Sequence, residues 1–426
     1  MIALNPKLRG PESPQSAWYR YYPGFSEGFA RAALRSSCLC NGEWVLDPWN
    51  GSGTTTSAAL SLGINACGYD LNPVMALVAK ARSLNSADFS SLRPLAFELT
   101  RKAKKTSDFD PEDPLLAWLQ PQSVRAIRGI EAAVQTLLID DQCYMSLNKR
   151  GVNEVSDLAA FFYVGIFRTV RKILRPFLTS NPTWIKRPDS RRSRLRPGAA
   201  TVHEIFRSNL ADMIPTSPPK FSLATRGQKV ISVASSQKLP LANGSIDFVL
   251  GSPPYCTRID YAIATSPELA LLGYEFDTDF YELRRKLIGT PTVPSAAPKA
   301  STDLGKTCLD FLAALSQHTS KASSTYYYKN HVQYFQSIGS SLSEIGRVLK
   351  PSGRCVLVVQ DSYYKDVHND LPAILTEMAE IRGLRLRDRN NFAHPRTLAG
   401  INPGTHEYRS SFSAVESVLV FETRCL

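Results

Sequence analysis

The chain has 426 residues, enough for one catalytic domain plus a sizeable insertion. Hydrophobic residues make up 43% of it, which supports a large core and excludes wholesale disorder. Its 50 Lys and Arg against 38 Asp and Glu leave a net charge of +12, which favours polyanionic partners. No stretch approaches the roughly 18 to 20 apolar residues of a membrane span, and the polar start MIALNPKLRGPESPQ lacks the apolar core of a signal peptide. A soluble, cytoplasmic protein with no membrane partner is expected. The eight cysteines include no CxxC pair and the six histidines no HExxH spacing, so neither a disulfide framework nor a metal site is expected.

In chain order, Glu43 to Asp47 (EWVLD) is a short apolar run ending in an acid. A glycine-rich turn follows, then a helix-like segment from Thr54 to Leu62, then a second run, Ala66 to Asp70, again ending in an acid. This spacing predicts a βαβ crossover and a parallel sheet. From Ser83 to Gly227 apolar residues recur at helical spacing, as in Ala159 through Ile173, predicting a mostly helical insertion. Alternation then resumes with strands at Val230 and at Ile246 to Gly251, and a helix from His331 to Leu349 stopped by Lys350-Pro351-Ser352-Gly353. A strand at Arg354 to Val359, a helix at Pro372 to Arg382, and strands at Leu384 to Arg389 and Glu416 to Glu422 complete it. Seven strands with intervening helices predict an α/β, doubly wound fold. The domain reading is residues 1–82 and 228–426 as two parts of one catalytic domain around a helical insertion, 83–227.

Two constellations carry the chemistry. The first is Asp47-Pro48-Trp49-Asn50-Gly51-Ser52-Gly53-Thr54-Thr55, with Asp70 ending the next strand. Glycines let the backbone approach a nucleotide-like ligand, free amides at a helix start meet its carboxylate, and an acid at Asp70 can accept both ribose hydroxyls. A tight turn without ligand, with Asp47 as a helix cap, is the alternative. The second is Ile246 to Gly251 followed by Ser252-Pro253-Pro254-Tyr255. An apolar strand delivers this tetrapeptide at its carboxyl end, where open α/β sheets hold ligands. The prolines stiffen it and remove N–H donors, leaving carbonyls and the Ser252 hydroxyl as acceptors for an exocyclic amino group. Tyr255 can stack on a base rotated out of a duplex. A proline-stiffened turn with a surface tyrosine is the bland reading.

The string DPWNGSGTT resembles the DPFxGSGTT motif of amino-methyltransferases acting on nucleic acids, and SPPY resembles the catalytic motif of the DNA enzymes in that family. The resemblance implies a Rossmann-like seven-stranded methyltransferase sheet and S-adenosyl-L-methionine as cofactor. It assigns cofactor contacts to Asp47, Pro48, Gly51, Ser52, Gly53, Thr54, Asp70 and Asn72, with Ser235 beside the adenine where many relatives carry an acid. It assigns the target amino group to Ser252 and Pro253, with Pro254 and Tyr255 completing the loop. Serine at the first loop position leans towards N4 of cytosine, and aspartate towards N6 of adenine. Tyr22 to Phe29 resembles the family's helix over the cofactor, with a plain amphipathic helix as the alternative. The cofactor motif precedes SPPY, the reverse of many SPPY enzymes. Double-stranded DNA is the implied partner; pairing with a restriction nuclease or defence system, or a solitary role, is left open, as is oligomeric state.

For DNA, the stretch Trp184 to Arg196 (WIKRPDSRRSRLR) offers Lys186, Arg187, Arg191, Arg192, Arg194 and Arg196 to phosphates, or is a solvated loop. Arg258 and Tyr261, just after SPPY, are candidates to line the cleft. For Arg258 the alternative is an ion pair with Asp260 or Glu268. His394 and Arg396 are further candidates on the ligand side.

Overall fold

The computed structural model describes residues 4–8, 10, 12–19, 24–103, 110–139, 145–179, 181, 184–215, 227–256, 259–296, 298–394 and 414–423. Seven strands form one sheet: β1 (Trp44–Asp47), β2 (Asn65–Asp70), β3 (Lys229–Val233), β4 (Ile246–Gly251), β5 (Leu349–Gln360), β6 (Leu384–His394) and β7 (Ala414–Thr423). Their order is β3-β2-β1-β4-β5-β7-β6. The first five run parallel, and β7 is antiparallel to both of its neighbours. The chain reverses its direction of progress across the sheet between β1 and β4, which opens a crevice at their carboxyl ends. That is where both sequence constellations emerge.

The helices are α1 (Glu27–Ser36), α2 (Thr54–Ser61), α3 (Pro73–Arg82), α4 (Phe89–Lys102), α5 (Pro121–Leu138), α6 (Asp157–Ile173) and α7 (Ala199–Met213). They continue with α8 (Ser266–Leu271), α9 (Asp279–Lys286), α10 (Lys306–Gln317), α11 (Tyr328–Val348) and α12 (Leu371–Ile381). Both sheet faces are covered, so the central strands read as continuous apolar runs rather than alternating ones. Along β5 the side chains nevertheless divide by parity: Val356 and Val358 pack with α1 and α2, whereas Cys355, Leu357 and Val359 join α10, α11 and α12. No helix among the described residues is long and apolar enough to cross a membrane.

The expected turn at Lys350–Gly353 lies inside a longer strand. Ile246 faces Leu349 while Phe248 faces Arg354, so the intervening residues bulge, with Ser352 in the left-handed region (φ 64°). Strand β6 also runs beyond the expected Arg389, because its antiparallel partner β7 extends alongside it.

Helices α4 to α7 lie between β2 and β3 in the chain. Helix α6 is buried on most of its circumference, since it packs against α3 on one side and α7 on another. Gly165 permits the α6–α7 approach: a Cβ there would sit 2.7 Å from Leu210 Cδ2. All ten residues of α3 are buried, sandwiched between sheet and insertion. One apolar cluster therefore joins α3 to α4 through α9 without a gap, from Trp18 to Leu283.

Candidate active site

A cavity of about 850 Å³ opens at the carboxyl ends of β1, β2 and β4. Asp47, Pro48, Gly51, Ser52, Thr54, Asp70, Asn72, Ser235, Ser252, Pro253, Pro254, Tyr255 and Tyr261 all line it, brought together from distant parts of the sequence. Gly53 stands just behind them.

The glycine loop is built from below. Gly53 (φ 82°) begins α2, and a Cβ there would lie 2.9 Å from Ala79 Cβ and 3.1 Å from its Cα. Having no side chain to cap the helix, Gly53 leaves the first amides of α2 open to a ligand carboxylate. Gly51 (φ 47°) donates its N–H to Asp70 Oδ2 (2.9 Å), and Asn72 N–H donates to Asp70 Oδ1 (2.8 Å). Each Asp70 oxygen keeps a lone pair for a further donor. Burial pushes Asp70 up to about 6 and Asp47 to about 7. Asp47 accepts from Trp49 N–H (3.1 Å) and from the Thr55 hydroxyl (2.7 Å), so it shapes the loop from within.

Several side chains are engaged with the protein itself. Buried Arg82 donates from Nη1 to the Ser52 carbonyl (2.9 Å) and hydroxyl (2.7 Å), fastening the loop to α3. Asn72 caps α3 by accepting from Val74 N–H (3.1 Å) and donates to Thr265 Oγ1 (2.9 Å). Ser235 Oγ accepts from Gln237 N–H (3.2 Å). Upstream, α1 forms where the sequence suggested, capped by Ser26 (3.1 Å to Phe29 N–H), with Gly24 and Phe25 on the cavity wall. Tyr22 and Pro23 lie outside the described residues.

The tetrapeptide leaves β4 with its remaining polar groups divided. The Pro254 carbonyl accepts from the Tyr334 hydroxyl (2.9 Å), and Tyr255 N–H donates to Tyr261 Oη (2.9 Å). Ser252 Oγ and the Pro253 carbonyl have no protein partner among the described residues. Asp260 accepts from Ile263 N–H (3.1 Å) and pairs with Arg284 (2.6 Å), fixing the turn that carries Tyr261. Tyr261, foreseen as a DNA contact, is thus a support of the loop, and burial pushes its phenol up.

The opposite wall is formed by the end of α6 and the short turn Arg175–Phe177 that follows it, and was not foreseen as part of the site. Arg168, Arg171, Lys172 and Arg175 face the cavity, with Lys286 contributed by α9. Arg171 is committed internally: Nη2 donates to Glu268 Oε2 (3.0 Å), Nε donates to Oε1, and Tyr19 also donates to Oε1 (3.0 Å). Glu268 is fully buried. Arg168 pairs loosely with Asp212 (3.7 Å). Lys172 and Arg175 are exposed, with no carboxylate partner among the described residues. Spacing of three and four residues along FRTVRKILR is the sequence signal that places these cations on one face.

The basic stretch Trp184 to Arg196 does not line the cavity. Trp118 Nε1, Gln120 Nε2 and Gln122 Nε2 donate to the carbonyls of Lys186 (2.9 Å), Arg191 (2.8 Å) and Arg196 (3.1 Å), so its backbone is pinned. Lys186, Arg191, Arg192 and Arg196 are exposed and Arg194 is half-buried. Arg187 stacks 3.8 Å above Phe276. Arg258, Arg396 and the His394 side chain lie outside the described residues. Both carboxylates considered for Arg258 are held by other arginines, Asp260 by Arg284 and Glu268 by Arg171.

The N6/N4 methyltransferase family, described as DNA methylase, matches residues 14–81, which contain the glycine loop and Asp70. The Type II methyltransferase M.BsoBI of Geobacillus stearothermophilus is 24% identical over 63% of this chain and 54% of its own length. The Type II methyltransferase M.MvaI of Kocuria varians is 22% identical over 78% of this chain and 73% of its own. The chain thus spans about half the length of the first relative and nearly three quarters of the second. A solved SAM-dependent methyltransferase from Methanosarcina mazei covers 92% of this chain and 98% of its own at 9% identity and a TM-score of 0.31, too distant to add to the strand order. In its α/β sheet and its glycine loop the chain is similar to the DNA amino-methyltransferases, and S-adenosyl-L-methionine is the methyl donor that this similarity supports.

Proposed function

We propose that the chain methylates N4 of cytosine in double-stranded DNA, acting on a base rotated out of the helix. The observation that carries this is the pair of acceptors, Ser252 Oγ and the Pro253 carbonyl, without partners among the described residues and on two residues that line a cavity shared with the glycine loop. The open amides of α2 and the spare lone pairs of Asp70 fit the carboxylate and ribose of the cofactor, and about 850 Å³ has room for ligands of this size. The bound cofactor supplies an electrophilic methyl group on a sulfonium. The protein's part is to hold the target amino group: acceptors aimed at both its hydrogens favour a pyramidal nitrogen with its lone pair free. The nitrogen is itself the nucleophile, so no cysteine is required, and buried Cys256 beside the loop is outside the chemistry.

Expression in a host lacking DNA methylation, followed by mass spectrometry of digested DNA, tests the proposal. N4-methylcytosine is the expected product. N6-methyladenine would move the assignment to adenine, and an unmodified genome would overturn it. Ser252→Ala should lower kcat by about 100-fold, with cofactor affinity unchanged by calorimetry.

The cofactor reading also fixes a pH dependence. Asp70 must be ionised to accept ribose hydroxyls, so cofactor affinity should fall as pH drops through about 6. For folding the sign is opposite. Between 3.8 and about 6 the folded chain keeps a proton that the unfolded chain has released, so this group's contribution to stability declines as pH rises through that window. Calorimetric titration across the range checks the first, and Asp70→Asn should weaken binding throughout and remove the dependence centred near 6.

For DNA, the proposed phosphate path runs from Lys172 and Arg175 at the cavity mouth towards the Trp184–Arg196 stretch. Lys172→Ala with Arg175→Ala should reduce the slope of log affinity against log salt by about 2. An unchanged slope would remove these residues from the path.

A further inference from the structure

We infer that Tyr261 is a specificity-determining residue, which makes the catalytic loop select an amino group over a ring carbonyl by withholding the Tyr255 N–H. The inference rests on the proposed base methylation and assigns a role that the motif itself does not contain. Beyond Ser252 the loop has two prolines, which lack N–H groups, so Tyr255 supplies the first backbone donor. That donor is occupied at 2.9 Å by Tyr261 Oη. The Pro254 carbonyl is occupied by the Tyr334 hydroxyl at 2.9 Å. What faces the cavity unpartnered is the Ser252 hydroxyl and the Pro253 carbonyl, and the latter can only accept.

An amino group donates to that carbonyl. A ring carbonyl in the same place can accept from the Ser252 hydroxyl, but it sets its oxygen against the Pro253 carbonyl and leaves that acceptor unsatisfied. Cytosine and uracil differ by this substitution at ring position 4, and adenine and hypoxanthine differ by it at position 6. A free Tyr255 N–H, on the next peptide unit after the Pro253 carbonyl, would give the wrong base a further donor and weaken the distinction. Tyr261 can hold it because its own segment is fixed independently. Asp260 caps that turn while paired with Arg284 (2.6 Å), and Asn72 reaches Thr265 at 2.9 Å.

The test is competitive inhibition of methyl transfer by duplexes bearing cytosine or uracil at the target position. An abasic site opposite the target in both removes base-pair strength from the comparison. Wild type should favour cytosine, and Tyr261→Phe should reduce that preference about 10-fold, the effect of one hydrogen bond gained by the wrong base. Tyr334→Phe also removes one hydroxyl from the loop but frees an acceptor, so its preference should match wild type. An unchanged ratio in Tyr261→Phe, even with lower kcat, would overturn the inference, as would a wild-type enzyme that does not distinguish the two bases. Thermal denaturation shows whether the variant folds, and a wild type that does not distinguish the two bases overturns the inference even where it does not. If the enzyme proves to modify adenine, the same experiment runs with hypoxanthine, so an error in the base assignment stays separable from failure of this inference.

Discussion

Arg171→Met should lower the unfolding free energy by about 3–5 kcal/mol, because among the described residues it leaves the buried Glu268 carboxylate with the Tyr19 hydroxyl as its one remaining side-chain partner. Arg171 is on α6 and Glu268 on α8, so this pair joins the insertion to the segment that follows the catalytic loop. Arg171 also donates to the Ala264 carbonyl, at the end of the turn carrying Tyr261. Removing both charges together, as Arg171→Met with Glu268→Leu, should recover most of the loss, since a buried ion pair contributes little over a well-packed apolar pair. Denaturant unfolding of the three variants and wild type measures the coupling. A cost below about 1 kcal/mol for Arg171→Met, the level of an exposed pair, would contradict the buried geometry.

Gly53→Ala should be nearly as severe, with its effect concentrated on the cofactor. The residue sits at φ 82°, where a Cβ costs about 1 kcal/mol. That Cβ would also meet Ala79 at 2.9 and 3.1 Å, on a helix buried on all sides, and such overpacking typically costs about 1–3 kcal/mol more. The loop must shift to relieve the overlap, and cofactor affinity should fall by roughly 100-fold. Gly244→Ala, also at positive φ (57°) but with open space around it, should show the conformational cost alone and leave cofactor binding intact. Equal affinity in Gly53→Ala and wild type would mean that the loop is not the cradle.

Much of this site could be read from local sequence. The turn Asp47–Thr55, the acid Asp70 and the loop Ser252–Tyr255 each have their chemistry in consecutive residues, and each follows an apolar strand whose end is easily located. What escaped was chemistry made by distance in sequence. Arg82 reaches Ser52 from the far end of α3, Tyr334 reaches Pro254 across 80 residues, and Glu268 receives Arg171 across 97. None of these pairings has a spacing signature. The densest basic run attracted attention as a DNA contact. The cations on the cavity wall are instead spread over about two turns at the end of an otherwise apolar helix and just past it, visible only as the polar edge of its periodicity. Ser52 and Asn72 line the cavity, yet their side chains are bound to Arg82 and Thr265, a fact that only packing reveals.

The position of β1 at the centre of the sheet has a consequence for how the chain is made. Its neighbour β2 follows within 18 residues, but its other neighbour, β4, begins only at Ile246, 199 residues after Asp47. At a synthesis rate of about 5–20 residues per second, the nascent chain waits roughly 10 to 40 seconds with one edge of β1 unpaired. Val45 and Leu46, wholly buried in the finished sheet, lie on that open edge throughout. Ribosomal pausing before Ile246 would lengthen the interval in which this apolar edge stands open.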